Sequence, residues 1–169
     1  MKSQRFETNL SVLDPSRDQR LPGDVFVYRM PDGLYRFGRL LARGLGSSLE
    51  SQLWADPVFH LVCFFEGSSL NKNSWPDLET TNYLIPPCLV NQKLWTLGYF
   101  KRIARIPLVR DELSNLCFKV NRLGLTKYYL IDGSEVSDPQ LPCVDLSLHS
   151  FLTIDDSLSD ALLIDRVVT

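Results

Sequence analysis

A chain of 169 residues, 44% hydrophobic and 22% charged, is long enough for one domain with an ordinary core and too apolar for wholesale disorder. Its four cysteines are widely spaced and form no C-x-x-C pair, which argues against a disulfide scaffold and for reduced, buried thiols. The net charge of −2 hides a split: residues 131–169 hold eight acids against one base, Arg166, for −7, whereas residues 1–130 hold seventeen bases against twelve acids, for +5. The polar opening lacks the apolar stretch of a secretory signal. The longest apolar run, Val58 to Phe65, is too short to span a bilayer and is interrupted by His60. A soluble, cytoplasmic protein is expected.

Residues 1–20 show little periodicity and read as a loose lead-in to a single domain over residues 21–169. Leu21-Pro22-Gly23-Asp24 is a turn signal, and the β-branched and aromatic run Val25 to Met30 that follows it predicts a strand. Pro31-Asp32-Gly33 is a tight turn in which Gly33 supplies positive φ. Leu34 to Ala42 predicts the second strand of a hairpin, with Leu34, Arg36, Gly38 and Leu40 on one face and Tyr35, Phe37, Arg39 and Leu41 on the other. Arg43 to Ser51 reads as a Gly- and Ser-rich loop, with a helical turn through Ser48–Leu53. Val58 to Glu66 fits a strand buried on both faces. Gly67 to Asp77 is a polar loop, and Thr81 to Ile85 is a strand stopped by Pro86-Pro87. The run Trp95 to Phe100 leads into Lys101–Arg105, again strand-like. Leu116 to Val120 and Lys127 to Ile131 form a further pair, with Asp132-Gly133 as a turn. Ser157 predicts the cap of a helix through Leu158, Ala161 and Leu162, with Asp155 and Asp156 at its positive end. The fold class is α+β with β dominant: a strongly twisted antiparallel sheet or a partly open SH3-like barrel, with one or two peripheral helices.

Signals for catalysis are weak. Gly44-Leu45-Gly46-Ser47-Ser48 lacks the third glycine of a dinucleotide motif. His60 and Cys63 form H-x-x-C, but an offset of three on a strand points them to opposite faces, and zinc needs two more ligands. Cys143 with His149 stays open as a pair, since partners need only meet in space, although nothing marks that thiol as activated. Asp24, Asp32 and Asp132 sit at turns, where a carboxylate satisfies backbone N–H groups. No catalytic residue, metal site or cofactor is expected. Trp95, Tyr99 and Phe100, followed by Lys101, Arg102 and Arg105, have the composition of a nucleic-acid surface. Three aromatics in six residues are more often core, and the chain is mildly acidic, so nucleic acid is not the expected partner.

The run Gly23-Asp24-Val25-Phe26, then Pro31-Asp32-Gly33-Leu34-Tyr35, then Phe37-Gly38-Arg39-Leu40-Leu41, resembles the opening of the immunity protein 26 family, bacterial proteins encoded beside polymorphic toxins. Leu84-Ile85-Pro86-Pro87 and Leu94-Trp95-Thr96-Leu97-Gly98-Tyr99-Phe100 are similar to that family's middle section, in the same order. Arg36 stands where the resemblance leads one to expect a smaller residue. The resemblance implies a cytosolic protein that binds the C-terminal domain of a cognate toxin and blocks it, without catalysis. On this view Gly23, Gly33 and Gly38 serve turns or close strand approach, and Phe26, Phe37, Trp95, Tyr99 and Phe100 serve the core. If the toxin is a nuclease, its groove is positive, and Asp138, Asp145, Asp155, Asp156 and Asp160 are the candidate contacts. The rival readings are an SH3-like nucleic-acid-associated module or ribonuclease-type toxin, which needs a basic groove and a catalytic pair, and an adaptor domain of a larger assembly.

Overall fold

Hydrophobic alternation on either side of Pro31-Asp32-Gly33 yields the expected hairpin, strands β1 (Asp24–Arg29) and β2 (Tyr35–Arg43). The computed structural model describes residues 7–44, 59–79, 81–109, 113–114, 116–139 and 143–167. The helical turn predicted through Ser48–Leu53 lies outside them, as does most of the Gly- and Ser-rich loop. Strands β3 (His60–Phe65), β4 (Tyr83–Val90), β5 (Lys101–Arg105) and β10 (Leu148–His149) join the hairpin in a six-stranded sheet of order β10-β4-β3-β2-β1-β5. A second sheet, β8-β7-β6-β9, is built from β6 (Cys117–Arg122), β7 (Leu125–Tyr129), β8 (Glu135–Val136) and β9 (Cys143–Asp145). Helices α1 (Lys93–Thr96) and α2 (Phe151–Ala161) complete the described elements.

The fold is thus β-dominant, as expected, but it consists of two sheets, neither closed into a barrel. Each is mixed, because β10 runs parallel to β4 and β9 parallel to β6. No helix among the described residues is long and apolar enough to cross a membrane.

Strand β3 is buried along its whole length, as its continuous apolar sequence predicts. Its alternating side chains feed two cores. Val62 and Phe64 face one with Phe26, Tyr28, Trp95 and Phe100, and α2 closes it with Phe151, Ile154 and Leu158. Leu61, Cys63 and Phe65 face the other, which the second sheet covers with Phe118, Tyr129 and Val144.

Three segments depart from the sequence-based expectation. Strand β4 does not stop at Pro86-Pro87. The register passes from Val62↔Cys88 to Phe64↔Ile85, so both prolines oppose Cys63 alone in a bulge, where the ladder does not require their missing N–H. Trp95 to Phe100 is not strand: Trp95 lies in α1, and the chain reverses at Gly98, whose φ is +90°. The aromatic residues there answer to burial, not to strand geometry. Helix α2 is capped by Ser150, whose hydroxyl accepts from Thr153 N at 3.1 Å. Ser157 is mid-helix and donates to Thr153 O at 2.8 Å. The period Phe151, Ile154, Leu158 sets this earlier start, and Asp155 and Asp156 consequently sit away from the helix N-terminus.

The lead-in is also tied down. Leu10 keeps 2% exposure in the first core. Ser11 N donates to Arg29 O at 3.0 Å, Leu13 N to Gly98 O at 2.7 Å, and Ser16 N to Trp95 O at 3.0 Å. Residues 7–20 have no regular secondary structure, and they are nonetheless held against β1 and the α1–Gly98 turn.

Candidate functional site

Most of the residues that carry the family resemblance are internal, while Pro31, Asp32, Pro86 and Leu97 are exposed. A Cβ on Gly38 would stand 2.3 Å from Phe26 Cζ and 2.6 Å from Cys63 O, so only glycine lets the Phe26 ring lie across β2. Phe26 stacks on Phe100 with centroids 4.4 Å apart and meets Trp95 edge-on at 5.6 Å. Phe37 is fully buried, and Tyr99 stacks on Phe151. Gly23, with φ +91°, donates to Leu40 O and accepts from Ile106 N, in a gap where a Cβ would meet Ile106 O at 2.5 Å. Arg39 is buried and donates through Nη2 to Ile106 O and Pro107 O, both at 2.7 Å. Pro86 is exposed on the bulge, and Tyr35 lies under the Arg29 guanidinium at 5.4 Å.

The turn carboxylates do more than close turns. Asp24 is buried, accepting from Leu21 N at 2.9 Å and Arg105 Nε at 2.6 Å, with Arg102 at 3.9 Å. Asp32 accepts from Leu34 N at 3.0 Å beside Gly33, and a two-pronged bond to Arg36 holds its carboxyl below the usual range. The unexpectedly large Arg36 is thereby accounted for: it folds back over the turn that precedes it. Asp132 accepts from Ser134 at the turn between β7 and β8.

The aromatic–basic stretch does not form a stacking platform. Trp95, Tyr99 and Phe100 keep at most 6% exposure, and Lys101, Arg102 and Arg105 pair with Asp14 and Asp24. His60 lies against Trp95 in the first core while Cys63 faces the second, so the H-x-x-C pair is split across the sheet. Cys143 stands opposite Cys117 on β6 and β9, where burial and then a hydrogen bond to Cys117 raise its pKa. Burial pushes the Cys88 thiol up to about 12. Neither shift activates a nucleophile.

The five candidate acids fall into three settings. Asp138 and Asp145 are exposed, and neither carboxylate enters a hydrogen bond or ion pair among the described residues. Asp156 and Asp160 lie on α2 and share Arg166, which donates to Asp160 through Nε at 2.8 Å and through Nη2, with Nη1 3.6 Å from Asp156. Asp160 is held below the usual carboxylate range by that guanidinium. Asp155 is different again. It keeps 3% exposure and accepts from Asn9 N at 3.0 Å and Leu10 N at 2.6 Å. Burial raises its pKa, against those two bonds. Its carboxylate fastens the N-terminal segment and is not presented to a partner. The pairing of Arg166 escaped the sequence reading, although a lone base just past an acidic helix was a visible signal.

A β-dominant scaffold whose recognisable residues lie mostly in its interior, with unpaired carboxylates on its surface, is the class of protein that this geometry defines. The sequence model of Immunity protein 26 matches residues 21–129, and the chain belongs to that family. No curated protein and no solved structure matches it.

Proposed function

We propose that this immunity protein neutralises a cognate toxin domain in the bacterial cytoplasm by binding it, with no catalytic step of its own. The observation that carries the reading is the family match over residues 21–129. The toxin-facing surface is assigned to the acidic C-terminal segment, outside that match, through Asp138, Asp145, Asp156 and Asp160. These carboxylates suit the positive substrate groove of a nuclease, where they would stand in place of phosphate. Asp155 supports the surface from within by fixing α2 to residues 9–10.

The test is a four-site variant, Asp138→Asn, Asp145→Asn, Asp156→Asn and Asp160→Asn, against the toxin domain encoded upstream. Association should slow by about tenfold or more at low salt, and its salt dependence should flatten. An unchanged association rate removes the acidic surface from the interface. Failure of the unmodified chain to rescue cells from any neighbouring toxin candidate overturns the neutralisation reading itself.

A further inference from the structure

Opposite in sign to the acidic segment, a cationic hollow opens beside the end of the β2–β3 ladder. It has a volume of about 310 Å³ and is lined by residues 17–20 together with Arg43, His60 and Gln92. The sequence scatters these residues over more than seventy positions. The fold collects them because Arg43 and His60 are register partners, Gln92 directly precedes α1, and the segment before β1 passes over Trp95. A second hollow shares Arg17 and Gln92 with the first and adds Lys93 and Thr96. Three arginines and a lysine thus border two adjoining hollows, with one acid, Asp18, among the described lining residues.

Arg20 distinguishes this hollow from an ordinary basic surface. It keeps only 9% exposure. Its Nη2 donates to Ser16 O at 2.8 Å, and its guanidinium lies 5.0 Å from the Trp95 ring centroid. Its Nε, however, has no hydrogen-bond partner among the described residues, although it is shielded from solvent. A buried guanidinium with a donor unmet is unfavourable, and an added acceptor relieves it. Burial lowers the pKa of Arg20, and Arg43 and Arg102 push in the same direction, against Asp18 and Asp24. Arg17 and Arg43 line the hollow from exposed positions, and a guanidinium offers a fork of donors that matches two adjacent oxygens.

The geometry points to an oxyanion-binding pocket, formed by Arg17, Arg20, Arg43 and Gln92, that takes a carboxylate or a phosphate group. The carboxylate would come from a glutamate or aspartate of a partner protein, the phosphate from a small phosphorylated molecule. Neither source depends on the acidic segment or on the identity of the toxin.

The experiment is an amide-resonance titration of the full chain with inorganic phosphate and, separately, with N-acetylglutamate, each against chloride at constant ionic strength. Saturable shifts confined to residues 17–20, 43, 60 and 92–93 are expected. The exposed double variant Arg17→Ala, Arg43→Ala should weaken binding by about tenfold or more, as loss of charge-assisted bonds requires. Arg20→Lys keeps the charge while removing the fork, and should weaken binding without disturbing resonances elsewhere. Tighter binding of phosphate assigns the pocket to a phosphorylated molecule, and tighter binding of N-acetylglutamate assigns it to an acidic side chain. Shifts that fail to saturate, that fall equally on Lys119 and Lys127, or that survive in the double variant overturn the pocket.

Discussion

The block from residue 21 to residue 129 and the segments flanking it contribute to the two cores by different means. Inside the block, shape decides. Gly38 leaves room for Phe26, Gly23 leaves room for the backbone at Ile106, and rings from separate elements interlock around Phe100. In the flanks, polar bonds add to the apolar contacts of Leu10, Phe151, Ile154 and Leu158. Residues 11–16 are held by backbone donors to Arg29, Gly98 and Trp95, and α2 receives residues 9–10 through the carboxylate of Asp155. Steric demands restrict the residue types that a position accepts, whereas a polar tie can be made by many sequences. A family pattern is accordingly readable in the block and absent from the flanks.

Gly38→Ala tests the steric side and should have the largest effect. The new methyl would collide with Phe26 and with Cys63 O, and a loss of about 3 kcal/mol is expected in urea unfolding. Tolerance of this change would remove the contrast. Asp155→Ala tests the polar side. It leaves the N–H groups of Asn9 and Leu10 without their acceptor, at a loss of about 2 kcal/mol. Hydrogen exchange should speed up through residues 9–16 while β1, β2 and β3 stay protected. Uniform loss of protection would mean that flank and block are one cooperative unit.

Leu163→Gly should move stability the other way. Leu163 terminates α2 at φ +56° and is almost wholly exposed, a position that glycine occupies without strain. A gain of about 1 kcal/mol is expected by thermal unfolding. The smallest effect belongs to Asp32→Asn. Arg36 lowers the folded-state pKa of Asp32 beneath the ordinary 3.8, so the pair stabilises above that value and the contribution is lost as pH falls through the lower one. The variant should lose less than about 1 kcal/mol at neutral pH and show a flatter stability profile below pH 4.

What the sequence revealed follows the same division. The hairpin was legible because alternation and a Pro-Asp-Gly turn are local signals. Pro86-Pro87 read as a stop because a bulge depends on the partner strand, which the sequence does not display. Trp95 to Phe100 read as strand because aromatic composition is shared by strands and by any buried segment. Among the acids, one was needed inside and two meet Arg166, distinctions that arise only when the chain folds back on itself. The cluster at Arg17, Arg20 and Arg43 was invisible for the same reason.

The bond from Leu10 to Asp155 joins residues 145 apart in sequence. Closing so long a loop is entropically late, and the contact rewards closure only after α2 has formed on β4. During synthesis, which proceeds from the N-terminus, residues 9–16 emerge long before their anchor in α2. Until then the face bearing Phe26 and Tyr28 lacks both its helix and its strap. The interval between those two events is when the nascent chain is most open to mispairing or to a chaperone.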